Sequence, residues 1–318
     1  HRTLDIHWTQ EMFDQNGMTR EAVKWDYELR NGEQVETVVD RALSVMMSDP
    51  KGPAYLALPR EVLAIEMDEV TFDSPGRIQP ASASNPNAAA LDEAASLLAK
   101  AENPVIITNW GGRNPKVMPA LVELAENYAI PVVEYRNRFV AMPRHHPMFA
   151  GSNPNPFVEA ADAILVMDSA TPWLPSQVNP SENCKVMHLA PDPHYSYLPI
   201  RGFRSDIALA CSSELGLMAL NAAMEEPAKS NKIVIDRRRK EIADKHKKLE
   251  ETWAKKLEAV KNQTPLHPAW ISDCIAKISD ADTIFSKESQ LQVQYLDTSK
   301  PTKILNAGAS SGLGHGMG

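Results

Sequence analysis

The run Gly308-Ala309-Ser310-Ser311-Gly312-Leu313-Gly314-His315-Gly316-Met317-Gly318 has the residue types to hold an anion without a charged side chain. Glycines after a strand let backbone N–H groups approach a phosphate closely, ordinarily at the start of a helix. Directly upstream, Lys303-Ile304-Leu305 reads as the strand such a loop would follow. Gly308 to Gly312 also fits G-x-S-x-G, the elbow that presents a nucleophilic serine. That chemistry places an acid and then a histidine after the serine. Residues 313–318 hold His315 but no acid, so chain order argues against a hydrolase.

Other chemistry-bearing residues are sparse. His145 and His146 are adjacent, so in a helix or a strand they diverge and make poor joint metal ligands. His188 falls in a predicted strand and reads as a satisfied interior residue, while His7 and His315 are candidates to line a site. Cys184, Cys211 and Cys274 form no C-x-x-C pair, which reads as reduced thiols in a cytoplasmic protein. The 318 residues carry a net charge of -8, which favours neither nucleic acid nor an anionic membrane as partner. No apolar run is long enough to span a bilayer, and no secretory signal opens the sequence at His1.

The elements that must position these residues follow an α/β pattern. Gln34 to Met47 has helical apolar spacing, Asp49-Pro50-Lys51-Gly52-Pro53 ends it, and Ala54 to Leu58 reads as a buried strand stopped by Pro59. Residues 74–86 read as a linker. Beyond it, helices are expected over Ala90–Lys100 and Val117–Tyr128. Strands are expected over Pro104–Thr108, Pro131–Tyr135, Ala163–Met167 and Lys185–Leu189. Their spacing suits βαβ crossovers and a parallel sheet. Residues 228–263, rich in Lys, Arg and Glu with sparse apolar positions, read as a solvated connecting helix. A new α/β unit follows, with Ala269–Ile278 as helix and Thr283–Phe285 and Lys303–Leu305 as strands.

Gly52-Pro53-Ala54-Tyr55-Leu56-Ala57-Leu58-Pro59-Arg60-Glu61-Val62 resembles the segment closing the first domain of thiamine diphosphate-dependent enzymes. The group meant is that of acetolactate synthase, benzoylformate decarboxylase and pyruvate oxidase. His7-Trp8-Thr9-Gln10-Glu11, Val23-Lys24-Trp25 and Arg41-Ala42 look like the stretch before it. Asn103 to Ile107, Ala161 to Leu165 and His188-Leu189-Ala190-Pro191-Asp192-Pro193 are similar to the group's central domain. Ser311-Gly312-Leu313-Gly314 matches the start of its third.

The resemblance implies an α/β fold of parallel-sheet domains with flanking helices. Residues 1–73 would be the C-terminal part of a pyrimidine-binding domain, and 86–226 a central Rossmann-like (flavodoxin-like) domain. Residues 227–263 would be a charged helical linker, and 264–318 the start of a diphosphate-binding domain. It further implies carbon–carbon cleavage or ligation on a small 2-oxo acid by a cytoplasmic homodimer or homotetramer, a lyase or transferase using thiamine diphosphate and Mg2+. The family's cofactor-protonating glutamate falls upstream of His1 and its Gly-Asp-Gly magnesium motif downstream of Gly318. The chain by itself is therefore expected to be inactive, and no catalytic residue or metal ligand is assigned. Cofactor contacts are expected from Glu288, Ser289 and Gln290, and from Ser311, Gly312 and Leu313. Gln290 and Leu291 depart from the hydroxyl residues usual after Ser289. FAD is not expected, because Asp168-Ser169-Ala170-Thr171-Pro172-Trp173 lacks the arginine that flavin-binding relatives carry there. Two alternatives stand beside this reading: a nucleotide-binding or scaffolding Rossmann-like module, and a short-chain dehydrogenase-like NAD(P) loop at 308–314.

Overall fold

A computed structural model of the chain describes residues 12–68, 76–288 and 290–306. His7, Ser289, Ser311, Gly312, Leu313 and His315 lie outside the described residues. Two compact units divide the chain, 1–83 and 84–318.

In the first unit, strand β1 (Trp25–Glu28) leads through helix α1 (Val35–Met47) into strand β2 (Ala54–Ala57), followed by the short helix α2 (Arg60–Leu63). The two strands pair in parallel, Trp25 opposite Ala54 and Glu28 opposite Ala57. Asn31 opens the turn into α1 by accepting the Glu33 N–H at 3.1 Å. Val38 on α1 and Val62 on α2 pack with Leu29 into a small core. β1 was not expected from sequence. Its four residues, Trp-Asp-Tyr-Glu, are all half-buried.

The second unit opens with helix α3 (Ala88–Lys100), strand β3 (Pro104–Thr108), helix α4 (Val117–Tyr128) and strand β4 (Val132–Glu134). Helix α5 (Asn155–Ala160), strands β5 (Ala163–Met167), β6 (Lys185–Ala190) and β7 (Ile207–Ala210), and helices α6 (Ser213–Ala223) and α7 (Glu225–Lys229) complete the alternation. The long helix α8 (Lys232–Val260) and helix α9 (Pro268–Ile278) lead to a separate parallel pair, β8 (Phe285–Lys287) and β9 (Ile304–Asn306).

The main sheet is fully parallel in the order β4-β3-β5-β6-β7. That is the flavodoxin-like 2-1-3-4-5 order, with its reversal between β3 and β5. β3, β4 and β5 are buried at every residue, as apolar runs covered on both faces must be. One core packs α3, α4 and α6 on the sheet, and a second packs Val158 of α5 with Trp173 and Cys184 on the other face.

The charged stretch folds as α8, and its few apolar positions are not idle. Ile235 and Ile242 are buried in the first core, with Leu249 and Trp253 packed against it. Arg238, 5% exposed, donates from Nε to Ala129 O and from Nη1 to Ala101 O, each at 2.7 Å, and from Nη2 to Tyr128 O. Ala129 itself turns left-handed (φ 50°) to end α4, where the Tyr128 and Ala129 carbonyls meet the guanidinium. No helix among the described residues is long and apolar enough to cross a membrane.

Candidate functional site

Open parallel sheets bind ligands outside the carboxyl ends of their strands, at the reversal of strand order. Here that place is built from the residues after β3 and β5. Gly111 and Gly112 open a single turn after β3, and their missing side chains are explained by protein rather than by phosphate. A Cβ on Gly112 would lie 2.0 Å from Val140 O, and one on Gly111 2.6 Å from Met167 Cε. After β5, Asp168 takes a left-handed conformation (φ 46°). Its N–H donates to Leu189 O at 3.1 Å and its carbonyl accepts from Trp110 N–H at 3.0 Å.

Arg201 reaches into this edge from the segment after β6. It donates to Ala170 O at 3.0 Å, Ser169 O at 3.1 Å and His188 Nδ1 at 3.2 Å, and stacks over Tyr195 and Phe203. His188 is 1% exposed and donates from Nε2 to Arg204 O at 2.9 Å, so one tautomer is fixed and the ring is neutral. It is the satisfied interior residue expected. Burial lowers its pKa to about 4. A histidine that stays neutral when folded but titrates near 6.5 when unfolded loses stability as pH falls through that interval. The loss is on the order of 3 kcal/mol between pH 6.5 and 4. His188→Gln should flatten that limb of the stability–pH profile in urea titrations; an unchanged limb would assign it to other groups.

A second edge is formed by β8 and β9, whose last residues, Lys287 and Asn306, are register partners. A loop from the central sheet braces it. Tyr135 N–H donates to Thr108 O and Arg138 N–H to Asn109 O, at 3.1 and 2.9 Å, which ties the loop to the end of β3. Glu134, fully buried at the end of β4, accepts the N–H groups of Ala141 and Met142 at 2.6 and 2.8 Å and pairs with Arg144 at 2.6 Å. Burial pushes the Glu134 carboxyl up, and Arg144 with the two N–H groups opposes that push. On the far side, Arg144 N–H donates to Thr298 Oγ1 at 2.9 Å and Val140 N–H to Pro301 O at 3.3 Å.

Of the expected cofactor residues, Glu288 and Gln290 are exposed just beyond β8. Ser289, Ser311, Gly312 and Leu313 cannot be placed against them, lying outside the described residues. Sequence reasoning missed Lys287, Asn306 and Arg144. Lys287 is half-buried, and desolvation lowers its ammonium, with the charge of Arg144 adding to the effect. The available signal was a lysine ending a strand next to the nominated loop. His145 and His146 diverge as expected, to Glu250 on α8 and Glu126 on α4 at 2.8 and 2.9 Å.

The family described as thiamine pyrophosphate enzyme, central domain, matches residues 91–196, from α3 through the segment after β6. Over residues 91–196 the chain thus resembles the central domain of thiamine pyrophosphate enzymes. Sulfoacetaldehyde acetyltransferase of Rhodobacter capsulatus is 31% identical over 179 residues, covering 56% of this chain and 29% of that protein. Oxalyl-CoA decarboxylase of Escherichia coli is 28% identical over 166 residues, covering 52% and 29%. The chain thus spans under a third of the length of these curated relatives. A solved thiamin diphosphate-dependent enzyme from Mycobacterium smegmatis superposes with a TM-score of 0.65 at 19% identity, over 91% of this chain and 54% of that one, a likeness of fold. The nucleotide-module and dehydrogenase alternatives are not favoured by these matches.

For the cofactor of a thiamine pyrophosphate enzyme, the described residues fit unevenly. The carboxyl edge of β8–β9 offers the half-desolvated Lys287 ammonium, a suitable donor to a diphosphate. For magnesium, no group of three or more His, Cys, Asp or Glu among the described residues could hold an ion.

Proposed function

We propose that this chain contributes the central domain, and the β8–β9 edge beside it, to an enzyme that cleaves or joins carbon–carbon bonds next to the carbonyl of a 2-oxo acid. Supporting this is the central-domain match over 91–196. Relatives named for acyl transfer and for decarboxylation support a reading as a lyase or transferase. Thiamine diphosphate, when bound, supplies the carbanion-stabilising chemistry. The chain's own part is to offer Lys287 to an anionic group and to hold its edge still through the 135–144 loop. We place the working form as a homodimer or homotetramer acting on a small 2-oxo acid.

We expect the 318 residues assayed alone to be silent and the native protein to turn over. The test is a panel of 2-oxo acids, followed by carbon dioxide release and by detection of ligated products. The native protein is assayed after removal of cofactor by EDTA and dialysis, with and without added thiamine diphosphate and Mg2+. Cofactor-dependent turnover is the expected result; turnover indifferent to the cofactor, or none, overturns the reading.

A further inference from the structure

The geometry points to Asn306 as a positioning residue that locks the carboxyl edge of β8–β9 to the 135–144 loop of the central domain. For what that edge holds, this rests on the function proposed above. The lock itself does not.

Asn306 is the last residue of β9, directly before the glycine-rich run. Its backbone N–H donates to Arg138 O at 2.9 Å and its side-chain Nδ2 to Asn137 O at 2.7 Å. One residue thus grips two successive carbonyls of the loop. The loop is gripped in the same way from the opposite side. Asn109, just past β3, donates from Nδ2 to Arg136 O at 2.8 Å and to Tyr135 O at 3.3 Å. Two asparagines, 197 positions apart in numbering, therefore satisfy the carbonyls of Tyr135 to Asn137 between them. Arg136, at the centre, is held left-handed (φ 50°), a conformation a non-glycine residue keeps only where its surroundings impose it.

Burial sharpens the argument. The Oδ1 atoms of both Asn109 and Asn306 are buried without a donor among the described residues. Each amide is turned so that its Nδ2, and not its Oδ1, meets the loop carbonyls. What each gains is the hold on the loop. Because Lys287 is the register partner of Asn306, the lock also fixes where that ammonium stands. Phe285 and Ile304 pack with Val140 beneath it, so the edge has an apolar floor shared with the loop.

The test uses Asn306→Ala and the near-isosteric Asn306→Asp, which lacks the Nδ2 protons, in the native protein. Amide hydrogen exchange at Val140, Arg144 and Asn306 is expected to rise about tenfold in both, as expected for losing one net hydrogen bond. The thiamine diphosphate concentration for half-activation should rise by a similar factor, with kcat within about twofold and Tm within about 3 °C. A purely structural residue would lower Tm and leave that split unmoved. Unchanged exchange in both variants overturns the lock. Raised exchange with an unchanged cofactor constant overturns the positioning role. Exchange is read without cofactor, so a wrong function and a wrong lock give different results.

Discussion

Replacing Arg144 with Met is expected to lower the stability of the second unit by about 3–5 kcal/mol, because it leaves the Glu134 carboxylate buried without its counter-charge. Both side chains are almost wholly excluded from solvent, so water cannot substitute for the guanidinium. Glu134 would keep only the N–H groups of Ala141 and Met142. In a unit of this size the loss should lower Tm by about 10 °C. Its sign with pH is fixed. Burial already pushes the Glu134 carboxyl up, and losing Arg144 removes the largest force holding it down. An acid whose folded pKa lies above its unfolded one destabilises increasingly as pH rises from its unfolded value, near 4.3, towards the folded one. Arg144→Met should therefore lose less stability at pH 5 than at pH 8. The double variant Glu134→Gln/Arg144→Met should recover a good part of the loss, since it removes the unpaired charge. Equal losses for the single and double variants in denaturant titrations would show the pair to be incidental.

The second large effect belongs to Arg238. Substituting Ala withdraws donors from the carbonyls of Ala101, Tyr128 and Ala129, at the ends of α3 and α4. Burial lowers the guanidinium to about 10, which leaves it charged at neutral pH. Hydrogen bonds from a charged donor each contribute about 1.5–3 kcal/mol, and water entering the vacated space would restore part of that. A net loss of about 3–4 kcal/mol is expected. It should be local first: amides of α8 near Ile235 and Ile242 should exchange faster than those of β3 and β5. Arg238→Lys, which reaches one or two of the three carbonyls, should fall between. Uniform acceleration across the sheet would mean that α8 does not open separately.

What the sequence disclosed follows from which forces act locally. β3 and β5 match their expected bounds residue for residue, because a strand covered on both faces is an unbroken apolar run between turn residues. α4 likewise matches, ended by a tyrosine and a left-handed alanine. β7 went unseen, since Ile207-Ala208-Leu209-Ala210 exposes its alanines and carries little apolar signal. β8 starts two residues later than Thr283, because Asp280 captures that threonine's hydroxyl at 2.8 Å and the Asp282 N–H at 3.0 Å in a turn. At the candidate site, local pattern fails for a different reason. Glu134, Arg144, Lys287 and Asn306 act together only because the chain returns to one place after about 150 residues, and no periodicity encodes such a meeting.

The docking of α8 also decides how this protein can be dissected. A polypeptide ending at residue 226 would keep all five strands of the central sheet yet strip Ile235 and Ile242 from the hydrophobic layer over α3 and α4. Those two helices would then show an oily face to solvent, and their terminal carbonyls would lose Arg238. Shortened versions made for crystals or for domain exchange keep the layer over α3 and α4 covered only when the cut falls after Val260.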